Sequence, residues 1–242
     1  MLAIHRRFCE VRRRSSAKGQ PTARHMDECM DSESLVAGRR GGFREAASQY
    51  LSQWSVFFRG FAQHPRMVGS IIPSSRFTVA RMLEPVDWRE CRLFVEYGPG
   101  IGTFCRPVLE RMRGDATLVV IDTNPLYIEY LQGAIRDKRF HAVHGSAADV
   151  ESIIADLGFD HADYVLSGLP FSTLPAGVAP AIAAATHRVL RPGGAFLVYQ
   201  FTAACRDFMA PHFARIDAGF EWLNILPCKL FWGWKDESPP AE

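Results

Sequence analysis

Gly98, Gly100 and Gly102 stand at alternate positions in "CRLFVEYGPGIGTFCRPVLERM", residues 91–112. Before them, residues 93–97 are an apolar run that predicts a short strand. After them, the spacing of Val108, Leu109 and Met112 predicts a helix. A strand, a glycine-rich turn and a helix make the first unit of a doubly wound nucleotide-binding fold. Glycines let such a turn tighten and let a ligand approach the backbone. The next buried strand, in "ATLVVIDTNP", ends at Asp122 and Thr123. A carboxylate there is placed to accept the two hydroxyls of a ribose. The chemistry on offer is therefore nucleoside binding, but the dinucleotide fingerprint G-x-G-x-x-G is not met. The third glycine comes one residue early, Thr103 takes its place, and Glu96 precedes the loop.

A second loop asks for an explanation. "SGLPFSTLP", residues 167–175, follows the apolar run "ADYVL" and sets Gly168, Leu169, Pro170 and Phe171 in succession. Ligands of open α/β sheets bind beyond the carboxyl ends of the strands. The two loops are thus expected to border one site, with the turn at Ser146 and Ala147 in "FHAVHGSAADV" beside them. "ATHRVLRPGGAFLVYQF" reads as a helix, a Pro-Gly-Gly turn and a fifth strand, and "FEWLNILPCKLFWGW" as closing antiparallel strands. Alternating strands and helices predict an α/β fold with a mainly parallel sheet of seven strands and helices on both faces.

Two further stretches have two readings each. In "PSSRF", the hydroxyls of Ser74 and Ser75 either cap the following helix or, with Arg76, bind a phosphate at its N-terminus. Residues 43–61 show an i, i+3, i+4, i+7 apolar stripe that includes Tyr50, Trp54, Phe57, Phe58 and Phe61. Such a stripe packs on a domain, or it lies in a membrane interface where aromatic rings are favoured.

At 242 residues the chain has room for one α/β domain and an N-terminal extension. The net charge of +2 argues neither for nor against nucleic acid, but residues 1–44 concentrate arginines, among them Arg6, Arg7, Arg12, Arg13 and Arg14. The six cysteines form no C-x-x-C pair, which speaks against a zinc site or a disulfide framework, and no metal is expected. The organisation expected is a disordered basic leader over 1–42, an amphipathic helix (membrane or lid) over 43–64, and the catalytic domain over 65–242.

The loop "VEYGPGIG", the acid in "VVIDTNP" and the loop "GLPF" resemble the class I methyltransferases that use S-adenosylmethionine (SAM). With "GSIIPSSRFTVARML" ahead of them, they are similar in particular to the bacterial phospholipid N-methyltransferases. The resemblance implies a Rossmann-like class I methyltransferase fold, SAM as cofactor, and N-methylation of the amine head group of a phospholipid such as phosphatidylethanolamine. It implies SAM binding by Glu96, Gly98, Gly100, Gly102, Thr103, Asp122, Thr123, Ser146 and Ala147. Ser146 stands where relatives often carry Asp, and Asp149 is a substitute for it. Gly168, Leu169, Pro170 and Phe171 would hold the amine, through backbone carbonyls and an aromatic ring. The candidates for a base are Tyr97, His64 and Asp163. Ser74, Ser75 and Arg76 would bind the lipid phosphate, and the rings at 50, 54, 57, 58 and 61 would meet an anionic membrane surface. Phe231, Trp232 and Trp234 either line an acyl groove or pack in the core. The expected location is cytoplasmic, peripheral on the inner face of the membrane. The rivals are an RNA methyltransferase like the rRNA adenine N6-dimethylases, a small-molecule amine methyltransferase, and a non-catalytic membrane or interaction module that keeps SAM binding as a relict. The charge balance beyond residue 45 offers nucleic acid no broad positive surface.

Overall fold

The computed structural model describes residues 74–224 and 227–237. The leader, the aromatic helix with its five membrane candidates, and His64 lie outside the described residues.

Within them the chain runs α1 (Arg76–Leu83), β1 (Leu93–Tyr97), α2 (Cys105–Arg111), β2 (Thr117–Asp122), α3 (Pro125–Ala134), β3 (Phe140–His144), α4 (Val150–Asp156), β4 (Ala162–Ser167), α5 (Val178–Val189), β5 (Leu190–Gln200), α6 (Cys205–Met209), β6 (Arg215–Glu221) and β7 (Cys228–Trp234). One seven-stranded sheet has the order β3-β2-β1-β4-β5-β7-β6. β1 to β5 pair in parallel, and β7 is antiparallel to both β5 and β6. This is the mainly parallel architecture that the alternating pattern predicts. The strand order reverses between β1 and β4, so the loops after these strands face a shared crevice.

The apolar runs of the central strands follow from their position. Every residue of β1 and of β4 is buried, because helices cover both sheet faces. Side chains alternate between two cores. Leu93, Val95 and Tyr97 point to the face packed by α4, α5 and α6. Phe94, Leu118, Val120 and Leu166 point to the face packed by α1, α2 and α3. β6 is one edge of the sheet, and its residues are exposed or partly buried up to the buried Glu221.

The Pro-Gly-Gly stretch departs from expectation. It is part of β5, which begins at Leu190 ahead of it. The β4–β5 register shifts there, and Gly193 takes a φ of 72°. Gly193 and Gly194 exchange backbone hydrogen bonds with Lys235, so the bulge extends the sheet instead of ending it.

Candidate active site

The site is built where three strands end. The Gly98 N–H donates to the Ile121 carbonyl at 2.9 Å, and the Gly168 N–H donates to the Tyr97 carbonyl at 2.9 Å. These bonds carry the ladder one residue past β1 and β4 and bring the two loops side by side. Gly98 has a φ of 63°, and a Cβ there would come within 2.8 Å of Leu169 Cδ2. Glycine is required twice over, by backbone conformation and by the neighbouring loop. Gly102, with a φ of 81°, is closed in by Leu131 and Cys105. Gly100 differs: a Cβ added to it meets nothing within 4 Å. Its backbone borders open space on which a ligand can lie.

Asp122 closes β2 beside that opening. Its Oδ1 accepts the Asn124 N–H at 2.8 Å. Burial raises its pKa, against the amides of Asn124, Gly100 and Thr123, which favour the charge. The residue stays partly exposed. An open glycine backbone with a partly exposed acid at the end of the next strand fits a ribose-bearing cofactor. Thr123 is exposed, and its carbonyl is hydrogen-bonded by the His144 ring. Thr103 borders the loop, partly exposed. Ser146 accepts the Ala148 N–H on its hydroxyl at 3.2 Å, which folds the turn carrying the buried Ala147.

Glu96 lies under the loop, not on its surface. It is fully buried, the Cys105 thiol donates to its Oε2 at 3.5 Å, and burial pushes its pKa up to about 8. It supports the loop from below and presents no carboxylate to a ligand.

The "GLPF" loop borders a pocket whose lining includes Ser74, Gly168, Pro170, Tyr199, Gln200 and Asn224. Among the described residues that line it there is no charged side chain. Two loop carbonyls are already occupied. Leu169 accepts the Phe171 N–H at 2.9 Å and the side-chain amide of Gln200. Pro170 accepts the Thr173 N–H at 2.9 Å and its hydroxyl at 3.0 Å. Phe171 turns away from the pocket: it is buried, and its ring centroid is 4.6 Å from that of Phe208. Sequence reasoning missed Tyr199 and Gln200. Both sit at the carboxyl end of β5, and that position was the available signal.

Other expected site residues are drawn elsewhere. The Tyr97 hydroxyl pairs with Thr186 at 3.2 Å inside the core, where burial raises its pKa, so it does not reach the loops. Asp163 sits at the opposite end of the sheet, against Arg191. Ser75 caps α1, its Oγ accepting the Thr78 N–H at 3.2 Å, while its own N–H donates to Asn224. Arg76 stacks on Phe77 at 4.8 Å, so of the three "PSSRF" candidates only Ser74 lines the pocket. Phe231 is in the core, the Trp232 indole donates to the Met82 carbonyl, and the Trp234 indole donates to Asp217. These three rings are structural. Among the described residues no cluster of acids, histidines or cysteines could hold a metal ion.

Residues 94–194 match the family described as "Methyltransferase domain". The chain is 24% identical over 183 residues to an ornithine lipid N-methyltransferase of Singulisphaera acidiphila, covering 75% of this chain and 95% of that one. It is 32% identical over 82 residues to a ribosomal RNA small subunit methyltransferase H of Nitrosomonas europaea, over 34% of this chain and 26% of that one. Its fold is similar to the precorrin-6y C5,15-methyltransferase of Geobacter metallireducens, with a TM-score of 0.52, 15% identity, and coverage of 65% of this chain and 87% of that one. The matched domain begins in β1 and takes in the glycine loop, Asp122 and "GLPF". Domain, sheet order and loops agree, and the chain is a SAM-dependent methyltransferase of the class I fold.

Proposed function

We propose that this methyltransferase transfers methyl groups to the amine of an aminolipid, phosphatidylethanolamine or a lipid of similar head group. The observation that carries the reading is the likeness to an ornithine lipid N-methyltransferase, which runs along nearly the whole length of that protein. The likeness to an rRNA methyltransferase is confined to about a quarter of that enzyme. Among the described residues no helix is long and apolar enough to cross a membrane. The proposed meeting place with lipid is the bilayer surface, on its cytoplasmic side. The aromatic helix at 43–61 is the proposed anchor, with the arginine-rich leader facing anionic head groups.

Gly98, Gly100 and Gly102 would seat SAM, and Asp122 would hold its ribose. Bound there, SAM supplies a sulfonium methyl: the amine lone pair forms the new N–C bond, the C–S electron pair goes to sulfur, and the extra proton leaves the product ammonium for solvent. The protein's task is to present a neutral amine in line, and such alignment is worth up to about 7–11 kcal/mol in favourable cases. A free alkylammonium has a pKa of about 10. The described residues that line the pocket are uncharged and give the ammonium no counter-ion, which favours loss of its proton.

The test is transfer of labelled methyl from SAM to liposomes, with ornithine lipid and with phosphatidylethanolamine and its mono- and dimethyl forms, and chromatographic separation of the products. Label in an aminolipid is the expected result. No label in any lipid, with SAM binding intact, would overturn the reading and bring RNA or a soluble amine forward.

A further inference from the structure

Gly168 is closed in on one side by a single side chain. A Cβ placed on it would fall onto the Tyr199 hydroxyl, and would lie 3.1 Å from the Gly98 carbonyl. The hydroxyl therefore stands where a side chain at position 168 would begin, between the two loops and on the wall of the pocket. Its ring is held from behind by Phe104, with centroids 5.2 Å apart. The Ser74 side chain hydrogen-bonds the phenol oxygen. The loop carbonyls of Leu169 and Pro170, expected to receive an amine, each already accept two donors.

We infer that the Tyr199 hydroxyl, beside Gly168, is the hydrogen-bond acceptor that orients the N–H of the attacking amine. The inference rests on the proposed amine methylation. The phenol oxygen carries two lone pairs, so beside its hydrogen bond with Ser74 it can accept an N–H of the neutral amine. The nitrogen lone pair is then left to point at the methyl group. Tyr199 does not act as the base, because burial, with Glu96 nearby, raises its pKa and keeps the phenol neutral. Gln200, the next residue, fixes the loop from the same strand end through Leu169. β5 thus contributes both a ligand for the amine and a strut for the loop.

The chemistry sets a signature that a structural role would not share. A neutral primary amine carries two N–H groups, a secondary amine one, and a tertiary amine none. Tyr199→Phe keeps the ring against Phe104 and removes only the hydroxyl. It should lower methyl transfer to phosphatidylethanolamine and its monomethyl form by roughly tenfold to a hundredfold, the span of one hydrogen bond lost at the reacting group. Transfer to the dimethyl form should change by less than about threefold, since no such bond is made. SAM affinity, measured by calorimetry, should stay within about twofold, as should the affinity of the product-loaded protein for a tertiary-amine lysolipid. Ser74→Ala, which frees the phenol to rotate, should give the same ranking of acceptors at smaller size, and serves if the first variant folds poorly. Equal losses on all three lipids, or none, would overturn the role of Tyr199 and leave the function standing. A wild-type protein that methylates none of the three would overturn both.

Discussion

Asp122 and Asp163 are the same residue at opposite ends of one sheet, and their surroundings divide structure from function. Asp163, at the start of β4, is buried and held by three donors. Its Oδ2 accepts the N–H groups of Arg92 and Leu93 at 2.7 and 2.9 Å, and its Oδ1 takes the Arg191 guanidinium at 2.6 Å. It ties together the entries to β1, β4 and β5. Asp122, at the end of β2, accepts the backbone amides of Asn124, Gly100 and Thr123 and stays partly exposed beside Gly100. A carboxylate paired with a guanidinium where three strands begin maintains a fold, whereas one held by loop amides and partly exposed at a strand's carboxyl end is available to a ligand. Glu96 is the intermediate case on β1, fully buried and met by one thiol.

The contrast breaks most visibly at Asp163. Asp163→Ala leaves a guanidinium and two backbone amides without their acceptor, and should lower stability by about 3 kcal/mol in denaturant unfolding. SAM affinity below the melting range should not change. A loss of affinity larger than the loss of stability would undo the division between the two sheet ends.

Glu96 gives a pH-dependent effect, spread over several pH units. Its pKa is raised from 4.5 to about 8 by burial. Between those values the unfolded chain has lost the proton that the folded protein keeps, so stability falls as pH rises through the window. The slope should approach about 1 kcal/mol per pH unit in thermal or urea melts from pH 5 to pH 8. Glu96→Gln should flatten it. A variant with the wild-type slope would mean that another group carries the dependence.

Much of this was legible in the sequence, for a physical reason. Glycines forced by backbone conformation, such as Gly98 at a φ of 63°, and buried strands covered on both faces leave direct marks on residue type. The loops after β1 and β4 could be placed together before any coordinates, because topology alone puts strand ends in one crevice. Side-chain direction was not legible. Phe171 belongs to the loop, yet its ring turns to Phe208. Tyr97 directly precedes the glycine loop, yet the period of two along β1 sends its hydroxyl to Thr186. Tyr199 shares the site with residues far from it in sequence, and no local pattern could bring it to Gly168. The bulge at Gly193 was read as a turn because Pro-Gly-Gly ordinarily ends an element, and only pairing with Lys235 keeps the strand going.

The central claim is that the carboxyl ends of β1 and β2 hold SAM, and calorimetric titration of SAM into the wild-type protein and Asp122→Ala tests it most directly. The account predicts a dissociation constant at least about tenfold weaker in the variant, the worth of a charged acceptor on the ribose hydroxyls, with an unfolding midpoint close to the wild type. Equal affinity in the two proteins would contradict it and move the nucleoside away from Asp122.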